Sequence, residues 1–198
     1  YTVVEGVYRD KYPLTPSPKK KFIMHAGSLH YNIGIEELIA AFETVSDRTY
    51  ELWFFGSGAM DDYIKEKAEK NKRIRHMGFV DPQTLFEYEK QATLLVNVRD
   101  PNAEYTKYSF PSKTFEYMAS GTPFLTTNLP GIPNEYKDYL FIIETNSVDE
   151  IKAGLERAIA LTDQEKEKFG AAARNFVLTQ KNKLVQSKKV SDFLITLD

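Results

Sequence analysis

Short apolar runs alternate with amphipathic stretches along most of this chain of 198 residues. The runs lack the polar alternation of a half-exposed strand, so they are typical of strands covered on both faces. The stretches between them keep helical spacing, as Ile35, Leu38, Ile39 and Phe42 illustrate. Six strands are predicted in this way, at 22–26, 50–55, 74–80, 93–98, 123–127 and 140–143.

Strands that alternate with helices form βαβ units, whose strands run parallel. We therefore predict an α/β fold, with a doubly wound, mostly parallel sheet of about six strands and helices on both faces. Residues 1–20 contain Pro13, Pro16 and Pro18 and are predicted to be an interdomain linker. The domain itself is predicted at 21–180, and a C-terminal helix at 181–198 is expected to pack toward a domain that this chain lacks.

Composition excludes several function classes. The net charge of −2 argues against nucleic acid as the main partner. There are no cysteines, so disulfides, thiolate zinc sites and a cysteine nucleophile are excluded. The three histidines are isolated and predict no metal site. No apolar run is long enough to span a bilayer, and we expect a cytoplasmic protein. The chain starts at Tyr1, which we interpret as the start of a fragment.

In doubly wound sheets, ligands bind beyond the carboxyl ends of the strands, near the point where the strand order reverses. The turns predicted at that edge supply the candidate ligand contacts Gly27, Ser28, His30, Gly78, Phe79, Val80 and Arg99. Each has a plain alternative, because Gly27 can simply end a strand, His30 can face solvent and Arg99 can be a surface residue. His25 and His76 lie within strands and are predicted to be core residues.

Gly56-Ser-Gly58 is a weak dinucleotide-binding signal, because the third glycine of that fingerprint would fall on Asp61. We predict a tight turn without a ligand there. An acid at the end of the second strand, which a dinucleotide-dependent oxidoreductase would also need, is missing.

The segment Lys107–Pro123 carries the strongest functional signal. We predict a helix that starts near Pro111 with Ser109 as its cap. The amides of Ser112, Lys113 and Thr114 and the Lys113 ammonium would then face an anion, for example the diphosphate of a nucleotide. Glu116 could accept hydrogen bonds from sugar hydroxyls, or it could form an exposed ion pair with Lys113. Phe115, Met118 and Ala119 are assigned to the core face of this helix.

The string from Phe110 to Pro123, FPSKTFEYMASGTP, resembles the donor-binding segment of bacterial GT-B glycosyltransferases of the group 1 type. This retaining group builds capsule, exopolysaccharide and lipopolysaccharide. The turns at Gly27, Gly56 and Gly78 come in the same order as in the C-terminal, Rossmann-like half of those enzymes. The resemblance covers about residues 22–180.

The resemblance implies roles for individual residues. Glu116 would bind the ribose hydroxyls of a nucleotide sugar, and the helix start at Ser112 and Lys113 would meet the diphosphate. The backbone at 78–80 would lie against the base. Arg99 and Lys113 would stabilise the leaving group, and no cofactor other than the donor substrate is expected.

The sequence also departs from the family pattern. A glutamate that contacts the donor sugar in many relatives would fall on Tyr108, which is kept here as a candidate contact. Two cations that usually meet the diphosphate are replaced by Ser28 and Ile33. We propose Arg99 and Lys113 as substitutes, with Lys107 as a weaker third.

The resemblance therefore predicts the donor-binding domain of an enzyme that transfers a sugar from a nucleoside diphosphate sugar to a polysaccharide or lipid-linked acceptor. This fragment alone is expected to be inactive. The acceptor would be held by the missing N-terminal domain, and peripheral membrane contact is expected only for the full-length protein. Besides an oxidoreductase, the alternative is a non-catalytic module that binds a nucleotide or another protein.

Overall fold

The computed structural model describes residues 4, 6–9, 12 and 17–196. Half of the predicted linker, including Pro13 and Pro16, lies outside these residues. The described part of that segment touches the domain near its C-terminal end, where the Tyr8 amide donates to the Lys181 carbonyl at 2.9 Å. Within the described residues, no helix is both long enough and apolar enough to cross a membrane.

The core of the fold is one sheet of six strands in the order β3-β2-β1-β4-β5-β6, and every neighbouring pair is parallel. This arrangement confirms the predicted doubly wound α/β fold. The strands are β1 (Lys20–Ala26), β2 (Glu51–Phe55), β3 (Ile74–Gly78), β4 (Ala92–Asn97), β5 (Phe124–Thr127) and β6 (Phe141–Ile143).

Helices connect the strands and complete the chain. They are α1 (Ile35–Thr44), α2 (Asp61–Lys70), α3 (Pro82–Gln91), α4 (Lys113–Ala119), α5 (Val148–Ile159), α6 (Asp163–Gln180) and α7 (Lys183–Ile195). Three short 3₁₀ helices lie in the loops, at Tyr31–Ile33, Glu104–Lys107 and Asn134–Tyr139. Only the regular helices were predicted, because a single 3₁₀ turn is too short to show a periodic pattern.

Local sequence signals fix where two of these helices begin. The Asp81 carboxylate accepts the amides of Gln83 and Thr84 at 3.1 and 3.0 Å, with Pro82 as the first helical residue. Asp81 is therefore the cap of α3, and Pro82 occupies a position where its missing N–H costs nothing. Thr162 caps α6 in a reciprocal capping box with Glu165.

The sheet is buried on both faces, which explains the continuous apolar runs. Alternate residues of β1 point in opposite directions, so Ile23 packs with the α1 and α5 side of the core while Met24 packs with the α4 and α6 side. Both side chains are fully buried. Helices therefore cover each face of the sheet, and the loops lie at the ends of the strands.

The order of strands reverses between β1 and β4, so their carboxyl ends form the switch point of the sheet. Helix α4 is fixed above this point by Tyr117. Its buried hydroxyl accepts the Ala26 amide at 2.7 Å and donates to the Ala26 carbonyl at 3.1 Å. These two bonds hold the predicted ligand segment against the end of β1.

Candidate functional site

The loop after β1 opens at the switch point. Gly27 has a φ of +147°, and a methyl group added there would meet no atom within 4 Å. Ser28 and His30 are exposed, while Leu29 between them is buried and anchors the loop. The structure therefore brings Gly27, Ser28 and His30 to the edge where a ligand is predicted.

The turn after β3 lies on the same edge. Gly78 has a φ of +70°, and its carbonyl accepts the Gly56 amide at 2.8 Å. Phe79 is 81% exposed and Val80 is half-buried. Beyond this turn, a groove of about 340 Å³ lies between the N-terminal residues Gly6–Arg9 and Tyr12, the start of α3 and the start of α4, and Ser112 and Glu116 line it.

Helix α4 begins later than predicted, at Lys113, and Ser109 does not cap it. The Ser109 hydroxyl donates to the Tyr105 carbonyl at 2.8 Å instead, which ties it to the preceding loop. Ser112 occupies the capping position with helical φ and ψ of −56° and −31°, and its side chain makes no capping bond. The prediction of Ser109 as cap was therefore wrong, because the chain after Pro111 already turns helically before the helix starts.

The three predicted anion-facing amides also differ from one another. The Thr114 amide donates to the Pro111 carbonyl at 2.9 Å, and its side chain is fully buried. Thr114 is therefore corrected to an interior residue that offers neither group to solvent. The amides of Ser112 and Lys113 have no acceptor among the described residues, so two of the three donors remain available.

Lys113 and Glu116 form the ion pair that their spacing predicted. The Glu116 side chain is 51% exposed and lines the groove, and the Lys113 side chain, 25% exposed, pairs with it from beside the groove. Phe115, Met118 and Ala119 are buried, as predicted. Phe115 also lines the groove beside Glu116, while Met118 and Ala119 pack in the core.

Sequence reasoning missed Glu89, a buried carboxylate next to this pair. Its Oε1 lies 3.5 Å from the Lys113 ammonium, and its Oε2 has no partner among the described residues. Burial raises the pKa of Glu89 to about 7; Lys113 opposes this rise and Glu116 adds to it. The available signal was its position three residues after Phe86, which places it on the buried face of α3.

Arg99 follows β4 and is half-buried, with its Nε lacking a partner among the described residues. Thr127 of the neighbouring strand donates to its carbonyl at 2.7 Å. Arg99 is near enough to His25 for its charge to lower the pKa of that imidazole. The guanidinium of Arg99 therefore lies near the switch point, at the sheet edge where a positive charge was predicted.

His25 is a core residue, as predicted, but only one ring nitrogen is paired. Its Nδ1 lies 3.1 Å from the Val96 carbonyl, and its Nε2 has no partner among the described residues. Burial lowers the pKa of His25 to about 4, with the hydrogen bond to Val96 opposing the shift and the charge of Arg99 adding to it. The imidazole is therefore neutral at pH 7. His76 is half-buried, with its Nε2 3.2 Å from an Asp61 oxygen.

The His25→Leu variant is expected to lose part of the acid sensitivity of the fold. A base whose pKa falls on folding destabilises the native state as the pH drops from its unfolded value, 6.5, toward about 4. The free energy of unfolding of the unchanged chain should therefore fall by about 3 kcal/mol more than that of the variant over this window. Urea unfolding at pH 7 and pH 4 measures the difference. The exposed His30→Leu variant is the control, and equal pH slopes in the chain and His25→Leu would contradict the expectation.

The chain matches the family model described as "Glycosyl transferases group 1" over residues 9–176. This match covers most of its length. The chain belongs to this family. The predicted GT-B resemblance is thereby confirmed at the family level, and the observed fold agrees with it.

Similar proteins support the same assignment. An uncharacterized glycosyltransferase of Methanocaldococcus jannaschii, MJ1607, is 28% identical over 149 residues, which are 71% of this chain and 36% of that protein. In fold, the chain is similar to S. aureus TarM in complex with UDP, with a TM-score of 0.76, 16% identity, and coverage of 97% of this chain and 38% of TarM. The chain thus spans well under half the length of these two relatives.

Two further solved structures share the fold. Anabaena HepE in complex with UDP-glucose has a TM-score of 0.70 and 15% identity, covering 89% of this chain and 49% of HepE. The C-terminal domain of LpcC, a glycosyl transferase group 1 protein from Francisella tularensis, has a TM-score of 0.66 and 18% identity, covering 84% of this chain and 88% of that domain.

The loop before α4 contains one of the positions at which the sequence departs from the family pattern. Tyr108 is 83% exposed, where the resemblance predicted a sugar-contacting glutamate. Lys107 is also exposed, at the end of a 3₁₀ turn that the Tyr105 hydroxyl ties to the Asn32 carbonyl at 2.9 Å. The loop is therefore held near the switch point, with Tyr108 facing outward.

The glycines after β2 allow the loops after β1 and β2 to pack closely in this group 1 domain. A Cβ on Gly56 would lie 1.9 Å from the Gly27 carbonyl oxygen, and a Cβ on Gly58 would lie 2.2 Å from that of Leu29. Both positions thus exclude a side chain because the β1 and β2 loops touch. Asp61 accepts the Gly58 amide at 3.0 Å. The geometry agrees with the tight turn predicted from the missing third glycine.

Proposed function

We propose that this chain is the donor-binding domain of a retaining glycosyltransferase. It would bind a nucleoside diphosphate sugar and supply it to a polysaccharide or lipid-linked acceptor of the cell surface. The observation that carries this proposal is the start of α4, where the Lys113–Glu116 pair and two amides without acceptors among the described residues lie beside the groove. A cation with exposed amides suits a diphosphate, and a half-exposed carboxylate suits a diol.

The proposed chemistry is cleavage of the bond between the anomeric carbon and the diphosphate oxygen. The bonding electrons leave with the diphosphate, the acceptor oxygen forms the new bond to the anomeric carbon, and the proton of the acceptor hydroxyl passes to the departing diphosphate. Lys113 and Arg99 would stabilise the growing negative charge, together with the amides of Ser112 and Lys113. No metal or additional cofactor has a role in this scheme.

The comparisons support the choice of ligand. HepE is described in complex with UDP and with UDP-glucose, and TarM in complex with UDP. The similarity to the separate C-terminal domain of LpcC supports the assignment of this chain to that half of a larger enzyme. We propose that the acceptor binds through the other half, in the cytoplasm at the inner face of the membrane, and that this domain alone catalyses little.

A second candidate, a non-catalytic module that binds a nucleotide, is favoured by one observation. The positions where relatives carry a sugar-contacting glutamate and two cations hold Tyr108, Ser28 and Ile33 in this chain. A module of this kind would keep the nucleotide contacts of α4 and lack productive contact with the sugar. It therefore predicts that the sugar part of a donor adds nothing to affinity.

Isothermal titration calorimetry tests the proposal and separates the two candidates. We expect one of UDP, GDP or ADP to bind in the micromolar to low millimolar range, which corresponds to about 4–8 kcal/mol. The matching nucleotide sugar should bind at least as tightly if the domain serves as a donor site. Phosphate and uridine alone are the controls. Failure of all three diphosphates to bind would refute the proposed function.

A further inference from the structure

One carboxylate of the proposed donor site cannot reach solvent. The Glu89 side chain is 1% exposed, and its own carbonyl is held by the Thr122 hydroxyl at 2.7 Å, so α3 cannot easily shift to release it. The side-chain cation within reach is Lys113, 3.5 Å away. A buried carboxylate with one unpaired oxygen is costly, so it needs either that cation or a proton.

Lys113 is shared by two carboxylates that differ in their need for it. Glu116 is half-exposed, and water can solvate its charge when Lys113 moves away. Glu89 is enclosed, and water cannot replace the ammonium there. The proposed diphosphate would be a third anion competing for the same ammonium, because it would lie at the start of α4.

We infer that Glu89 is a positioning residue that holds Lys113 inward in the empty site and takes up a proton when a nucleotide diphosphate draws Lys113 away. The inference rests on the proposed function, since it requires the diphosphate to meet Lys113. Glu89 and the diphosphate would thus compete for the Lys113 ammonium. Glu89 touches no part of the ligand and acts through Lys113.

The charges around Glu89 determine in which direction its pKa changes when the ligand binds. Helix α4 presents Lys113, Glu116 and Tyr117 to it. Burial raises the pKa of Tyr117 well above its usual range, so its hydroxyl stays neutral. In the empty site the pKa of Glu89 is about 7, with Lys113 holding it down against burial and Glu116. Withdrawal of Lys113 and arrival of an anion both raise it further.

Binding should therefore consume a proton above pH 7, and affinity should fall as the pH rises. A single linked proton changes affinity by at most about tenfold per pH unit. We expect UDP affinity to fall about three- to tenfold between pH 7 and pH 8.5. Below pH 6 Glu89 is already protonated, and its contribution to the pH dependence disappears.

Calorimetric titration with UDP at pH 7.5, in two buffers of different ionisation enthalpy, measures the uptake directly. We expect uptake of up to about one proton by the unchanged chain. Glu89→Gln should bind UDP with this uptake lost and with affinity constant within about twofold from pH 7 to pH 8.5. Titration of UDP itself contributes equally to both proteins and cancels in their difference.

The controls separate this role from a structural one. Glu87→Gln, on the same helix but with a half-exposed side chain, should keep the uptake. Lys113→Met should keep the fold, bind UDP more weakly because a phosphate contact is lost, and take up no proton per UDP bound. Uptake per UDP equal to that of the unchanged chain in this variant would overturn the inference even if Glu89→Gln does not fold. Equal proton uptake in the unchanged chain and Glu89→Gln, with UDP bound by both, would overturn the inference and leave the proposed function intact. Failure of UDP, GDP and ADP to bind at every pH would overturn both.

Discussion

Glu116→Ala is expected to bind UDP at least about 30-fold more weakly than the unchanged chain. A carboxylate that accepts hydrogen bonds from both ribose hydroxyls contributes about 2 kcal/mol or more. The substitution removes this acceptor, and it leaves the Lys113 ammonium beside Glu89, 3.5 Å away. Calorimetric titration of both proteins at pH 6.5 measures the loss of affinity.

A matched control for this variant lies on α2. Glu66 is also a largely exposed glutamate paired with a lysine on the same helix face, and it is remote from the switch point. Glu66→Ala should bind UDP as the unchanged chain does. If Glu116→Ala bound equally well, Glu116 would be only half of a surface ion pair and the proposed ribose contact would be wrong.

Gly56→Ala is expected to lower the free energy of unfolding by about 3 kcal/mol or more. The added methyl group would lie 1.9 Å from the Gly27 carbonyl oxygen, so the loops after β1 and β2 would have to separate. The φ of +120° at this position adds strain for any residue with a side chain. Thermal unfolding should show a midpoint lowered by roughly 6–12 °C.

The Gly27→Ala variant separates the effect of the steric clash at position 56 from the effect of backbone strain at a positive φ. Gly27 also has a positive φ, +147°, but a methyl group there meets no atom within 4 Å. We expect a loss of only about 1 kcal/mol in this control. Equal losses in the two variants would mean that backbone strain, and not contact between the loops, explains the glycine at 56.

The fold could be predicted because its strands are covered on both faces. Each strand therefore reads as an apolar run, and parallel strands need the helices that the periodic stretches supply. The strand predicted at 74–80 ends earlier, at Gly78, where a positive φ turns the chain away. Local hydrogen bonds fix the starts of α3 and α6, since Asp81 and Thr162 bond amides within three residues.

The site was predictable only where its residues are neighbours in sequence. Lys113 and Glu116 are three residues apart, and their pairing followed from helical spacing. Glu89 is 24 residues from Lys113, and Ala26 is 91 residues from the Tyr117 hydroxyl that fixes α4. Periodicity within one element cannot reveal a contact between two elements, so these partners needed the structure.

The strand order also sets when the site can form during folding. Each half of the sheet, β1 to β3 and β4 to β6, pairs strands that follow one another in the chain. Among the six described strands, β1–β4 is the pairing that joins the halves, and it must close the longest loop. Gly27 belongs to one half, while Arg99 and α4 belong to the other. We therefore expect the ligand surface to be absent from either half alone and to appear only when the two halves meet.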